Sequence, residues 1–168
     1  MNTPLILTLK LDQATFEQTN TLRQQHFPPE RNVVPAHVIL FHQLPGQQES
    51  AISDSLKTLC AQTKPFPFSL PSLQFFGNGV AINVDSPELT QLHKTLATTW
   101  NEWLISQDRQ GYRPHITIQN KVDSKTARQL YEKLEMQWQS TTGWGEGLLL
   151  WHYQKGPWEL AKEFCFAQ

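Results

Sequence analysis

Two kinds of hydrophobic pattern alternate along the chain, and their order predicts strands alternating with helices. Short runs rich in Leu, Ile, Val and Thr are typical of strands, whereas apolar residues that recur every three or four positions are typical of helices. Asp12, for example, can cap a helix whose apolar side carries Phe16 and Leu22. The elements predicted for the first half are a strand over 4–10, a helix over 14–26, a proline-broken loop over 27–36, a strand over 37–44, a helix over 49–63 and a strand-rich stretch over 66–76.

The same order of elements returns in the second half of the chain. Ser86 and Pro87 are typical of a helix start, and the apolar residues that follow fall on one side of a helix. This stripe consists of Leu89, Leu92, Leu96, Trp100 and Trp103. The elements predicted here are a strand over 79–84, the helix just described, a loop over 106–114, a strand over 115–120, a helix over 124–139 and strands over 147–153 and 158–166.

This repetition predicts an α+β fold in which one unit is duplicated. Neither half of the 168-residue chain would bury enough apolar surface to be stable alone. We therefore expect a single domain over 1–168, made of two pseudo-symmetric lobes at roughly 1–76 and 77–168. Mainly antiparallel sheets should face a central cleft, with the helices outside.

Composition and charge narrow the range of functions. The hydrophobic fraction of 39%, with six Trp and nine Phe, indicates a packed globular protein. A formal net charge of -1 argues against a broad nucleic-acid-binding surface, which needs many Lys and Arg residues at once. Recognition of a single nucleotide or of one RNA end is compatible with this charge.

The cysteines and the apolar runs give expectations about location. Cys60 and Cys165 are far apart and form no CxxC pair, so neither a zinc site nor a disulfide framework is indicated. The apolar run near the N-terminus is too short for a signal peptide and lacks a basic leader, and no stretch approaches the roughly 18 to 20 apolar residues of a membrane span. We expect a monomeric cytoplasmic protein without a membrane partner, a metal or a cofactor.

One strand in each half begins with a histidine, and these two strands carry the candidate chemistry. Because side chains alternate along a strand, His115 and Thr117 share one face, and the apolar residues between and after them anchor the other face in the core. His37 and Ile39 share a face in the same way. A strand anchored from behind can hold an imidazole rigidly at a cleft.

Around these histidines the sequence resembles the two-histidine (2H) phosphoesterases. The segment GYRPHITI, 111–118, resembles their second H-x-T/S-x motif, and the segment PAHVILF, 35–41, resembles the first. The branch that it resembles most is the 2'-5' RNA ligase family, and the resemblance covers nearly the whole sequence. It implies that His37 and His115 are catalytic, with chemistry on 2',3'-cyclic phosphates or 2'-5' linkages of RNA or nucleotides.

A pair of histidines suits this chemistry. An imidazole can take or give a proton near neutral pH, and two of them on opposite sides of phosphorus allow in-line displacement without a metal. Thr117 supplies a hydroxyl that can hold a non-bridging oxygen in the second half. Ile39 departs from the motif at the corresponding position, and the loss of one such hydrogen bond should weaken catalysis about ten- to hundred-fold. The alternative is a weakly active or non-catalytic module that binds a nucleotide or RNA end.

Three arginines are candidate phosphate ligands, because a guanidinium fork matches phosphate oxygens. Arg31 and Arg109 each lie six residues before a motif histidine, and Arg113 lies two residues before His115. An ordinary solvated side chain is the alternative for each of them. His42 is expected to point away from the face of His37, as a packing or surface residue.

Other classes of function lack their sequence marks. The chain has no HExxH-type metal site, no glycine-rich turn after a strand and no nucleophile elbow. One face of the strand around His152 could stack on a nucleobase, although core packing is the simpler interpretation. A protein-interaction domain with exposed tryptophans is supported only by Trp138, Trp144 and Trp158.

Overall fold

The computed structural model describes residues 3–168 and confirms the predicted α+β fold. Its strands and α-helices are, in chain order, β1 (Leu5–Leu11), α1 (Gln13–His26), β2 (Ile39–Leu44), α2 (Glu49–Ala61), β3 (Phe66–Leu70), β4 (Leu73–Phe75), β5 (Val80–Asn83), α3 (Pro87–Thr99), β6 (His115–Gln119), α4 (Ser124–Glu135), β7 (Thr141–Tyr153) and β8 (Trp158–Cys165). The predicted alternation of strands and helices is therefore present in both halves.

The strands pair in antiparallel fashion, as predicted, and form two sheets. In the larger sheet β1 lies between β2 and β7, and β7 pairs along its other edge first with β3 and then with β8. In the smaller sheet β5 lies between β4 and β6. The strands next to the two histidines, β2 and β6, are each at the edge of their sheet, so both histidines can face the space between the sheets.

Each sheet draws strands from both halves of the chain. β7 and β8, which come from the second half, complete the larger sheet, and β4 from the first half joins the smaller one. The hydrogen-bonded sheets thus cross the lobe division expected near residue 76. The division into two pseudo-symmetric lobes stays a prediction.

The central strand, β7, begins six residues earlier than the predicted strand at 147. Gly143 and Gly145 lie in this extension, and glycine has a low strand propensity, so the local pattern does not indicate a strand. The pairing with β3 explains it, because the rings of Phe66 and Phe68 lie over these glycines where a Cβ atom would collide with them. The glycines permit this close packing.

Helix starts follow local signals more closely than helix ends do. Asp12 and Ser86 cap α1 and α3 as predicted, each accepting at 3.2 Å from the backbone N–H three residues further on. α3 ends at Thr99, and a single 3-10 turn over Asn101–Trp103 follows it. α4 ends at Glu135 rather than at 139.

The hydrophobic core lies between the sheets and the helices that cover them. β1 is buried on both of its faces, with Leu5 and Leu7 fully buried and Ile6 nearly so. The inner side of α2 adds Ile52 and Leu56, also fully buried. Over residues 3–168, no helix combines the length and the hydropathy that a membrane crossing requires.

Candidate active site

A cleft of about 430 Å³ lies between β2, β6 and the segment that leads into β6. The lining includes five residues singled out from the sequence, namely His37, Ile39, Arg113, His115 and Thr117. The lining also includes His42, His93, Asp108 and Tyr112 among other residues. The structure therefore brings both motif histidines to one cavity of the size that small ligands occupy.

The two histidines are held by the same local geometry. Nδ1 of His37 lies 2.7 Å from the carbonyl oxygen of Pro35, and Nδ1 of His115 lies 2.9 Å from that of Arg113. A carbonyl oxygen can only accept, so each Nδ1 carries a proton and donates it to the residue two positions earlier. Nε2 is left as the working nitrogen of both rings, as an acceptor when the ring is neutral and as a donor when it is charged.

The side chain of His37 is more closely packed than that of His115. Its ring packs against Trp158, with the two centroids 4.7 Å apart, whereas His115 is exposed to the cleft. Burial lowers the pKa of His37 to about 4, the bond to Pro35 opposes this, and the nearby Arg23 cation lowers it further. His37 is therefore neutral at pH 7, with a lone pair on Nε2 ready to accept a proton.

Side chains from the opposite half of the chain hold the residue two positions after each histidine. The hydroxyl of Tyr112 donates to the carbonyl oxygen of Ile39 at 2.9 Å. Nη1 of Arg23, on α1, donates to the carbonyl oxygen of Thr117 at 2.9 Å. Both bonds reach the backbone, so the identity of the side chain at position 39 or 117 does not affect them. Each histidine strand is therefore hydrogen-bonded to a side chain from the other half of the chain. We call these two hydrogen bonds the cross-ties.

Arg23 is a functional candidate that the sequence reasoning missed. It is buried, Nε donates to Oδ1 of Asn32 at 2.8 Å, and the guanidinium lies 4.0 Å from the centre of the Phe27 ring. Burial lowers its pKa to about 10, so it remains charged at neutral pH. The one available signal was its position on the buried side of α1, where Thr15 and Thr19 also lie.

Tyr112 belongs to an aromatic stack behind the cleft. Its ring lies 3.9 Å from that of His93 with an interplanar angle of 2°, and His93 stacks in turn on Phe41 at 4.7 Å. Burial raises the pKa of Tyr112 above its ordinary range, so the hydroxyl keeps its proton and remains a donor to Ile39. His93 is buried and also contributes to the lining of the cleft.

The three candidate arginines differ in where the structure places them. Arg113 lines the cleft beside His115. Arg109 lies outside that lining, because its guanidinium is taken up by the carbonyl of Leu104 at 3.1 Å and by the side chain and backbone of Asn101. Arg31 is exposed at the end of a 3-10 turn and is also outside the lining.

The structure corrects the expectation for His42, which lines the cleft with His37. The expectation assumed strict alternation along β2, but the pairing with β1 shifts register twice: Thr8 faces Ile39, Leu7 faces Phe41, and Leu5 faces Leu44. Extra residues in β2 therefore break the alternation, as a bulge does. His152, in contrast, lies outside the cleft, and its Nε2 is 2.8 Å from Glu49.

Two further kinds of group, possible metal ligands and thiols, bear on the chemistry that the site can perform. In the described part of the chain, His, Cys, Asp and Glu side chains do not gather in threes as a metal site would need. Cys60 is a buried free thiol and Cys165 an exposed one.

Solved structures share this fold at low sequence identity. The protein TT0787 of Thermus thermophilus matches with a TM-score of 0.72 and 16% identity, over 97% of both chains. LigT of E. coli in complex with 3'-AMP matches with a TM-score of 0.65 and 17% identity over 100% of both chains, and its complex with phosphate matches with 0.62 and 18% over 99% of both. A comparison with curated protein sequences finds no match.

The family model of the 2'-5' RNA ligase superfamily matches residues 11–157, which is most of the chain and includes both histidine motifs. The fold and the paired histidines agree with that match. The chain therefore belongs to the 2'-5' RNA ligase superfamily of 2H phosphoesterases.

Proposed function

We propose that this protein is a metal-independent phosphoesterase that acts on 2',3'-cyclic phosphate ends of RNA or of nucleotides. The observation that carries the proposal is the pair of imidazoles in one cleft, each with Nδ1 bonded to a carbonyl oxygen two residues earlier and Nε2 left free. Two such groups can take and give protons in the same turnover.

His37 acts as the general base, since burial lowers its pKa to about 4 and leaves it neutral at pH 7. Its Nε2 takes a proton from water while the water oxygen bonds to phosphorus. The bond between phosphorus and the ribose 3'-oxygen breaks, and Nε2–H of His115 gives its proton to that oxygen. The product is a 2'-phosphomonoester. With a ribose 5'-hydroxyl in place of water, the same steps form a 2'-5' linkage.

Thr117 and Arg113 hold the phosphate in this proposal. Both line the cleft beside His115, and a hydroxyl and a guanidinium are suitable donors to the non-bridging oxygens, where charge grows in the transition state. Arg109 and Arg31 are not assigned this role, because they lie outside the lining. The E. coli LigT complexes with 3'-AMP and with phosphate support a ligand of this chemistry.

The second candidate function is a nucleotide- or RNA-end-binding module without efficient chemistry. Ile39 favours it, since this side chain lines the cleft where a hydroxyl would be expected and offers no hydrogen bond. A binding module would hold the same ligand without turning it over. Turnover and affinity measured on the same compound distinguish the two functions.

The test is turnover of 2',3'-cyclic nucleotides and of a short RNA with a 2',3'-cyclic phosphate end, with a chelator present. His37→Ala and His115→Ala should each reduce kcat at least about a hundredfold while remaining folded. His152→Ala is the matched control, because it removes an imidazole outside the cleft. Absence of turnover by the wild type, together with measurable affinity for 3'-AMP, would favour the binding module. Activity that the chelator abolishes would refute the metal-free mechanism.

The proposed enzyme works as a monomer in the cytoplasm. Free thiols at Cys60 and Cys165 are compatible with a reducing compartment. Sedimentation at working concentration tests the monomer, and a mass near twice 19.4 kDa would contradict it.

A further inference from the structure

The two sides of the cleft are unequal in their hydrogen-bonding groups. Thr117, two residues after His115, brings a hydroxyl to the lining. Ile39, two residues after His37, occupies the corresponding place and brings only carbon atoms. A phosphate between the two histidines would therefore find a hydroxyl on the side of β6 and none at position 39.

His42 lines the cleft on the side of β2, where position 39 provides no hydroxyl. The extra residues in β2 turn its side chain toward the lining, although it lies five residues after His37. The side chain is 38% exposed, so it is open to a ligand while it remains anchored at one end. Its ring lies in the same cleft as that of His37.

Asp108 anchors the ring of His42. This carboxylate is almost fully buried, and it accepts from Nδ1 of His42 at 2.9 Å. It also accepts from the backbone N–H of His42, at 2.9 and 3.0 Å, and from that of Gln43 at 3.0 Å. Asp108, in the segment before β6, thus accepts from the backbone N–H groups of the irregular part of β2 and also orients the imidazole of His42.

The bond to Asp108 leaves Nε2 as the ring nitrogen available to a ligand. Because Nδ1 already donates to the carboxylate, Nε2 can donate as well only when the ring is protonated. A ring with a proton on each nitrogen can bridge the carboxylate of Asp108 at Nδ1 and a phosphate oxygen at Nε2. An anionic oxygen in the cleft is therefore a suitable partner for Nε2 of His42.

We propose that His42, oriented by Asp108, donates a hydrogen bond to a non-bridging phosphate oxygen and takes the place of the hydroxyl absent at position 39. His42 is a phosphate-binding residue in this proposal, and Asp108 is a positioning residue that acts through it. The inference rests on the proposed function for its effect on turnover, but its effect on phosphate binding can be measured without turnover.

A double-mutant cycle tests directly whether His42 takes the place of the hydroxyl absent at position 39. His42→Ala should lower kcat/KM about ten- to hundred-fold in the wild-type background. In the Ile39→Thr background, where a hydroxyl is restored, the same change should cost less than about threefold. His152→Ala is the control, since its imidazole also pairs with a carboxylate, Glu49, but lies outside the cleft.

Asp108→Asn tests the positioning role. It should lower kcat/KM in the wild type but have no further effect in the His42→Ala background, which a purely structural role would not produce. Circular dichroism confirms that each variant is folded. An additional loss of kcat/KM in the double variant would overturn the role of Asp108.

Binding of inorganic phosphate and of adenosine, measured by calorimetry, separates the two proposals. His42→Ala should weaken phosphate about tenfold or more and leave adenosine unchanged. If the wild type turns over substrate and His42→Ala matches His152→Ala, the inference fails and the proposed function stands. If His42→Ala lowers kcat/KM equally in the wild-type and Ile39→Thr backgrounds, His42 does not take the place of the missing hydroxyl. If nothing is turned over but His42→Ala still weakens phosphate, the proposed function fails and the phosphate contact stands. If the wild type neither binds phosphate nor turns over substrate, both fail.

Discussion

Replacing Tyr112 with phenylalanine removes a single oxygen from the molecule. That oxygen donates to the carbonyl of Ile39 at 2.9 Å, while the ring that carries it stays stacked on His93 at 3.9 Å. Tyr112 lies three residues before His115, and Ile39 lies two residues after His37. The substitution therefore cuts a link between the two histidine strands without opening a cavity.

The expected cost follows from the loss of one partly buried hydrogen bond. Such a bond contributes about 0.5 to 1.5 kcal/mol net, so the free energy of unfolding should fall by about 1 kcal/mol. For a chain of this length that corresponds to a decrease in Tm of about 2 to 4 °C. A shift of the Ile39 strand by a fraction of an ångström should lower kcat about tenfold and leave KM within about twofold, because geometry between reacting groups affects the chemical step.

Thermal unfolding and steady-state kinetics on a 2',3'-cyclic nucleotide measure both effects. Tyr153→Phe is the matched control, since it removes the same oxygen from an exposed side chain at the end of β7. If Tyr112→Phe is as stable and as active as Tyr153→Phe, the cross-tie has no energetic role. A loss of stability without a change in kcat would show that the bond does not position the histidines.

Three further predictions concern charge. The kcat/KM should rise with pH through about 4 as the general base His37 loses its proton, and an acid limb near 6.5 would contradict that role. Arg23→Met removes a buried guanidinium that donates to Thr117 and should lower the free energy of unfolding by about 3 kcal/mol, read from urea denaturation; a loss below about 1 kcal/mol would contradict its importance. The hydrogen bond to Glu49 raises the pKa of His152, so its contribution to stability is present below the unfolded-state value of about 6.5 and is lost as the pH rises through the folded-state value. The stability difference between wild type and His152→Gln should therefore shrink from pH 5.5 to pH 8.5, and a constant difference would contradict the linkage.

Local patterns were sufficient for most elements of the fold. The helix starts at Asp12 and Ser86 depend on a side chain and a backbone N–H three residues apart, so they can be predicted from a short window. The early start of β7 at Thr141 could not, because Gly143 and Gly145 are poor strand formers until the rings of β3 pack over them. Tertiary packing overrides propensity there.

The same distinction applies to the candidate site. The repeat predicted that His37 and His115 lie in corresponding places, and both line one cleft. The partners that hold the site are distant in sequence: Arg23 is 94 residues from Thr117, and Asp108 is 66 residues from His42. His42 was misplaced because a bulge depends on the partner strand, and nothing within β2 itself indicates an extra residue.

The central place of β7 has a consequence for how the chain acquires its structure. β1 pairs with β7 along its whole length, from Leu5 opposite His152 to Leu11 opposite Gly145, so the middle of the larger sheet joins early and late parts of the chain. Until residues 141–153 have been synthesised, β1 has an open, strongly apolar edge that invites pairing with other chains. We expect slow folding that depends on chaperones at high expression. Since β2 joins the sheet only through β1, the side of the cleft that carries His37 rests on a strand whose other edge stays open until β7 is available.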